Sequence, residues 1–211
     1  MHTFNALIFD LDGTIANTIP LCIKAFQSAI EPLTQVRLTE AEIVNTFGPS
    51  EEGTIQQLVP EHYDQALAGY LHQYAQLHPT LCPHPFPGIQ ALLDDALKQG
   101  LRLGMVTGKG RISTDISLRQ FGLETYFEHI ETGHKEGPSK PAGLRKMLDF
   151  FQPSRPLYIG DAPSDVVACR QVGIPIAAAA WAETANPIEL ELTQPDYLLH
   201  SIEELRDLLE I

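Results

Sequence analysis

The sequence predicts an α/β protein in which a parallel sheet is covered by helices on both faces and a helical bundle is inserted after the first strand. Three observations carry this expectation. Short, continuously apolar runs recur along the chain, each broken by a turn rich in Gly, Asp or Thr. Amphipathic segments, several of them closed by glycine, alternate with these runs, and strand–helix alternation is the pattern of a parallel sheet. One stretch, 17–82, keeps helical periodicity but offers no clear buried strand.

The first strand is Ala6 to Phe9, which is continuously apolar and therefore suited to burial on both faces. It runs directly into Asp10-Leu11-Asp12-Gly13-Thr14. Later strands are Leu101 to Val106, ending at Thr107-Gly108; Leu157 to Ile159, ending at Gly160-Asp161; and Ile174 to Ala180, despite Pro175. The helices between them are Gly88 to Gln99 closed by Gly100, Ile112 to Phe121 closed by Gly122, Lys140 to Phe151, and Ser164 to Val172 closed by Gly173. In the inserted stretch, Pro32, Gly48-Pro49 and Pro60 are expected to interrupt helices. The proline-rich run from Pro79 to Gly88 should form a stiff return linker. The expected organisation is an α/β core of 1–16 and 83–211 carrying a helical domain of 17–82.

With 211 residues, 44% of them hydrophobic, the chain can bury a full core. Its formal charge of -13 argues against a nucleic-acid partner, because such binding draws most of its affinity from basic side chains that release counterions. Small phosphate ligands stay compatible, since a metal ion and a few local donors can reverse the potential inside one cleft. Cys22, Cys82 and Cys169 are odd in number and contain no C-x-x-C pair, so neither a disulfide framework nor a structural zinc site is expected. No apolar run approaches the ~20 residues that span a bilayer, and Met1 to Asn5 lacks the basic start of a signal peptide. A cytoplasmic protein without a membrane partner is the expectation.

The polar residues gather where open α/β sheets bind ligands, at the carboxyl ends of strands. Asp10 and Asp12, two apart in an extended segment, point to the same side, and Gly13 lets the backbone approach closely. Two such carboxylates repel, and a divalent cation relieves the repulsion. An acidic turn in which Asp12 bonds its own backbone is the plain alternative. Asp161 and Asp165 follow another strand, at its tip and in the first turn of the next helix, where Asp165 would also suit the helix dipole. Together the four aspartates resemble a cation site, and oxygen ligands without His or Cys favour magnesium over zinc. Thr107-Gly108 supplies a hydroxyl and an unhindered N–H, the parts of a phosphate cradle, although Thr-Gly is also ordinary turn chemistry. Lys140 opens a helix, where the macrodipole does not favour a cation; a functional role and a solvated surface position are both open to it.

In kind and order these pieces resemble the haloacid dehalogenase superfamily, in its phosphoglycolate phosphatase-like branch with a helical cap. The first motif of that family matches Asp10-Leu11-Asp12-Gly13-Thr14, the second Met105-Val106-Thr107, the third Lys140 in Ser139-Lys140-Pro141, and the fourth Gly160 to Asp165. The resemblance implies a Rossmann-like catalytic core with 17–82 as the cap domain, and magnesium-dependent hydrolysis of a small phosphorylated metabolite. It implies Asp10 as a nucleophile forming an aspartyl-phosphate, and Asp12 as acid and then base. Magnesium would be held by Asp10, the Asp12 backbone carbonyl and Asp161, with Asp165 as ligand or neighbour. Thr107, the Gly108 N–H and Lys140 would surround the phosphoryl oxygens. Phe47-Gly48-Pro49-Ser50 resembles the family's specificity loop, which would place Gly48 and Pro49 beside the substrate; a helix-breaking turn is the alternative.

Departures from the family pattern blur the subfamily. Asn17-Thr18 stands where an acidic residue and Ser or Thr are common, and Lys140-Pro141-Ala142-Gly143 where K-P-x-P is common. Dehalogenases lack the second aspartate of the first motif, so Asp12 argues against that chemistry. β-Phosphoglucomutases carry a cap histidine twelve residues after the nucleophile, a position held here by Cys22, which favours hydrolysis over phosphoryl transfer to a sugar. Phosphoglycolate is the substrate the branch implies. The alternatives are an inorganic pyrophosphatase, a β-phosphoglucomutase-like phosphotransferase, or a non-catalytic binding protein on the same fold. Because 17–82 holds only Lys24 and Arg37 as basic residues, a second anionic group is expected to be met by Lys109 or Arg111.

Overall fold

The computed structural model describes residues 3–152 and 154–211. Its centre is a six-stranded parallel sheet of β1 (Ala6–Phe9), β2 (Arg102–Val106), β3 (His129–Glu131), β4 (Pro156–Gly160), β5 (Ile176–Ala179) and β6 (Tyr197–Leu199). The strand order is β3-β2-β1-β4-β5-β6, the order of doubly wound dinucleotide-binding sheets. β1 is central, in register Phe9 to Met105 of β2 and Phe9 to Ile159 of β4. The chain winds outward to β3 and then returns to the far side of β1 at β4. Strand order therefore reverses about β1, and the carboxyl ends of β1, β2 and β4 open on one crevice.

Alternation within the apolar strands sends side chains to two separate cores. On one face Leu7 and Phe9 of β1, Leu103 and Met105 of β2, and Leu157 and Ile159 of β4 meet α5 (Ile89–Lys98), α6 (Arg111–Phe121) and α10 (Ile202–Leu209). On the other, Ala6, Ile8, Val106 and Tyr158 meet α7 (Lys140–Phe150) and α8 (Pro163–Val172). Burying both faces is why these strands are continuously apolar. A further short helix, α9 (Pro187–Leu192), leads into β6.

Between β1 and α5 lie α1 (Ile19–Thr34), α2 (Glu40–Val44), α3 (Glu51–Leu58), a single 3-10 turn (Pro60–His62) and α4 (Tyr63–Leu81). Pro32 does not interrupt a helix: it falls in the last turn of α1, which ends at Gln35 in the left-handed conformation. The return linker is shorter than expected, because α4 continues through Pro79 to Leu81 and closes with the Cys82 N–H on the His78 carbonyl. A proline near the end of a helix forfeits a single N–H, which the remaining turns outweigh. α4 is fastened to α6 by the Tyr74 hydroxyl and His78 Nε2, both on Ser117 Oγ at 2.7 and 3.0 Å. Among the described residues no helix is long and apolar enough to cross a membrane.

Candidate active site

Asp10 leaves the end of β1 with its N–H on the Ile159 carbonyl at 2.8 Å, while its Oδ1 accepts the Leu11 N–H at 2.7 Å. Asp161 leaves β4 beside it, and Asp165 lies in the first turn of α8, fully buried. Carboxylate oxygens of Asp10, Asp161 and Asp165 lie within 4.8 Å of one another. Two glycines permit this crowding. Gly13 has φ 75°, and a Cβ there would sit 2.0 Å from Asp161 Oδ2; a Cβ at Gly160 would sit 2.3 Å from Asp165 Oδ2. Thr14 Oγ1 donates to Asp161 Oδ1 at 3.2 Å, and the Ala162 N–H to Asp165 Oδ2 at 3.2 Å.

Lys140, the first residue of α7, donates to both Asp10 and Asp165. Three carboxylates thus meet one ammonium, leaving two uncompensated negative charges. Burial pushes Asp10 up to about 6, although the Lys140 charge pulls the other way. Burial, and then the charges of Asp10 and Asp165, hold Asp161 well above the ordinary carboxylate range. Burial opposes the charge of Lys140 too, but Asp10 and Asp165 outweigh it and keep the ammonium protonated. A buried, all-oxygen donor set with two negative charges in excess can hold a hard divalent cation.

Asp10, Asp161 and Lys140 line a cleft of about 750 Å³ roofed by α1, the α2–α3 loop and α4, whereas the fully buried Asp165 is not part of its lining. Of the residues singled out in the sequence, Asp10, Asp12, Thr107, Gly108, Lys140, Asp161, Gly48 and Pro49 all line it. The Asp12 carboxylate lies outside the three-aspartate cluster, where it accepts the Thr18 hydroxyl and faces Lys109 Nζ at 3.1 Å. The Thr107 hydroxyl accepts the Lys109 N–H at 3.3 Å. Trp181 donates its indole N–H to the Thr14 carbonyl at 3.0 Å, bracing the loop that carries Asp10 and Asp12.

The expectation for Lys109 and Arg111 needs correction. Arg111 is largely exposed, paired with Asp115 one helical turn on, and does not line the cleft. Lys109 does line it, but its ammonium is fully buried and shared: Asp12 at 3.1 Å, Glu51 Oε1 at 3.3 Å, Cys22 Sγ at 3.1 Å, and the Tyr74 ring at 4.6 Å from its centroid. Glu51, the first residue of α3, is a buried residue of the site that the sequence does not single out. It is buried, with Oε2 accepting the Gly110 N–H at the head of α6 and Oε1 accepting the hydroxyls of Ser113 and Tyr70. Its one legible signal was position, directly after Gly48-Pro49-Ser50.

Residues 7–179 match the family described as haloacid dehalogenase-like hydrolase. Pyrophosphatase PpaX of Anoxybacillus flavithermus is 25% identical over 211 residues, covering 98% of this chain and 97% of the relative. Among solved structures, a haloacid dehalogenase-like family hydrolase from Streptococcus pneumoniae superposes with a TM-score of 0.77 at 25% identity, over 97% of this chain and 98% of the other. A protein described as a predicted phosphoglycolate phosphatase from Haemophilus somnus superposes with a TM-score of 0.81 at 19% identity, covering 98% of each chain. The family match spans the sheet from β1 to β5 and all four clusters of polar residues at its strand ends, and on this evidence the chain belongs to the haloacid dehalogenase-like hydrolases.

Proposed function

We propose that this protein is a magnesium-dependent phosphatase that hydrolyses a small phosphomonoester through an aspartyl-phosphate on Asp10, with 17–82 as a cap domain over the cleft. The observation that carries the reading is the group formed by Asp10, Asp161, Asp165 and Lys140 beside the Thr107-Gly108 turn. Asp10, Asp161 and the Asp12 backbone carbonyl would hold the cation, with Asp165 as ligand or neighbour. When bound, the cation supplies charge neutralisation for the phosphoryl group and for the nucleophile that approaches it.

The chain's own groups then divide the work. A carboxylate oxygen of Asp10 attacks phosphorus and the bond to the leaving oxygen breaks, giving an acyl phosphate and an alcohol. Asp12, held by Thr18 and Lys109 on the leaving-group side, gives its proton to that oxygen. In the second step Asp12 takes a proton from water as the water attacks the acyl phosphate, which frees Asp10 and phosphate. Lys140, the Thr107 hydroxyl and the Gly108 N–H would contact the transferred oxygens.

Relatives carry the names pyrophosphatase and predicted phosphoglycolate phosphatase, so those two compounds are the first to compare with an aryl phosphate. The test of the activity is release of phosphate from a generic aryl phosphate with and without magnesium, in the wild type and in Asp10→Asn. Turnover should need the metal and vanish in the variant. Undiminished turnover in Asp10→Asn, from protein free of contaminating phosphatase, would sink the mechanism.

A further inference from the structure

The cleft has two chemically distinct halves. Its floor is the carboxylate and Lys140 group at the strand ends; the other half, beneath the helical insertion, is lined by Ile19, Cys22, Phe26, Phe47 and Tyr70. Phosphoglycolate and pyrophosphate would each place a second anionic group in that half. Besides the Cys22 thiol and the Tyr70 phenol, the ionisable groups lining the cleft among the described residues are Asp10, Asp12, Glu51, Asp161, Lys109 and Lys140, four carboxyl groups against two ammoniums. Lys140 is committed to the floor. Among the described residues Lys109 is the one cation lining the leaving-group half, and it is held between Asp12 and Glu51. Glu51 by itself balances that ammonium, so this half offers no uncompensated positive charge to a second anion, whichever protonation state Asp12 has in the catalytic cycle.

Glu51 cannot easily release Lys109. Its carboxylate also satisfies the Gly110 N–H at the head of α6 and the hydroxyls of Ser113 and Tyr70, so swinging it away would orphan the Gly110 N–H and the Tyr70 hydroxyl and leave Ser113 only the Gly110 carbonyl. The aromatic wall packs on itself: the Phe26 and Tyr70 rings are tilted with centroids 4.3 Å apart, and Phe47 lies against Phe26 at 6.2 Å. A cleft of about 750 Å³ is in the range that encloses drug-sized ligands, which such sites bind through apolar walls and a few placed polar groups.

We propose that the leaving group accepted here is an uncharged, largely apolar alcohol, and that phosphomonoesters carrying a second anionic group beyond the phosphoryl are rejected. The proposal rests on the reading of the Asp10 centre as a phosphomonoesterase and specifies its substrate class. Glu51 is the specificity-determining residue, acting through Lys109 by neutralising it. Phe47, partly exposed and lining the cleft, provides the contact surface for the leaving group.

The experiment has a binding arm and a turnover arm, both with magnesium present. In the first, benzylphosphonate and phosphonoacetate are titrated calorimetrically into the wild type; the latter carries the carboxylate of phosphoglycolate on a non-hydrolysable frame. Benzylphosphonate should bind at least about tenfold more tightly, since unpaired like charges across an interface are strongly disfavoured. In the second arm, kcat/KM is compared for phenyl phosphate, 4-carboxyphenyl phosphate, phosphoglycolate and pyrophosphate. The neutral ester should lead, Glu51→Gln should narrow the gap to the carboxylated esters by freeing Lys109, and Phe47→Ala should raise KM for phenyl phosphate while sparing phosphoglycolate. Phosphonoacetate binding as well as benzylphosphonate, or phosphoglycolate or pyrophosphate turning over faster than phenyl phosphate, would overturn the inference while leaving the phosphatase reading intact. Absence of magnesium-dependent release from every ester would overturn the phosphatase reading instead, and the binding arm would still decide the charge preference.

Discussion

Replacing Glu51 with alanine removes, at one stroke, a partner of Lys109 and the acceptor for Gly110, Ser113 and Tyr70. The carboxylate is buried but for the small part that lines the cleft, so its loss leaves Lys109 and these donors largely without a partner. Breaking a buried ion pair by deleting one partner costs about 3–5 kcal/mol. Lys109 keeps Asp12, which places the expected loss toward the lower end, about 3 kcal/mol. For a chain of this length each kcal/mol lowers the melting temperature by about 2–4 °C, so Glu51→Ala should melt roughly 6–12 °C below the wild type. Glu51→Gln keeps an acceptor for two of the three donors and should recover about half of that loss. Scanning calorimetry of the three proteins at one magnesium concentration provides the comparison. A shift in Glu51→Ala of less than about 2 °C would refute the idea that this network fastens the helical insertion to the sheet domain.

Three further outcomes are expected. Gly13→Ala, which forces a Cβ to within 2.0 Å of Asp161 at φ 75°, should weaken magnesium binding by roughly 10–100-fold; calorimetric titration giving the wild-type affinity would show that the loop can relax without moving Asp161. Lys140→Met should lower kcat on an aryl phosphate at saturating magnesium by about 10²–10³, the usual cost of one lost donor to a developing oxyanion, and a change within twofold would remove Lys140 from the phosphoryl site. Asp12→Asn should slow formation and breakdown of the acyl phosphate by about 10²–10⁴, as seen by rapid-quench kinetics; a fall in metal affinity with unchanged saturated turnover would mean that Asp12 only shapes the metal site.

What could be read from the sequence was whatever is local. β1, β2, β4 and β5 announce themselves because burial on both faces leaves their runs almost wholly apolar, with Arg102 at the start of β2 the one charged residue, and the aspartate and threonine motifs stand out because each follows such a strand directly. The edge strands β3 and β6 did not, being three residues long and partly exposed, with His129 and Glu131 in the former. α10 was legible but passed over: Ser201 caps it, accepting the Glu204 N–H, and Ile202, Leu205 and Leu209 mark its buried face. The contact between Glu51 and Gly110 was beyond reach, since the two lie 59 residues apart and the position of Glu51 after Gly48-Pro49-Ser50 does not name a partner. For the same reason Lys109 read as a free cation when its charge is already spoken for.

The hydrogen bond from Trp181 to the Thr14 carbonyl makes the chain its own optical probe. Trp181 is the sole tryptophan of the sequence, half-buried, with its indole N–H anchored to the loop that carries Asp10 and Asp12. Indole emission depends on the polarity and hydrogen bonding of its surroundings, so any adjustment of that loop is written into a single, unambiguous fluorescence signal. Cation binding, phosphonate binding and movement of the Asp10 loop can then be followed in the unlabelled protein on the millisecond scale, with no second tryptophan to dilute the signal.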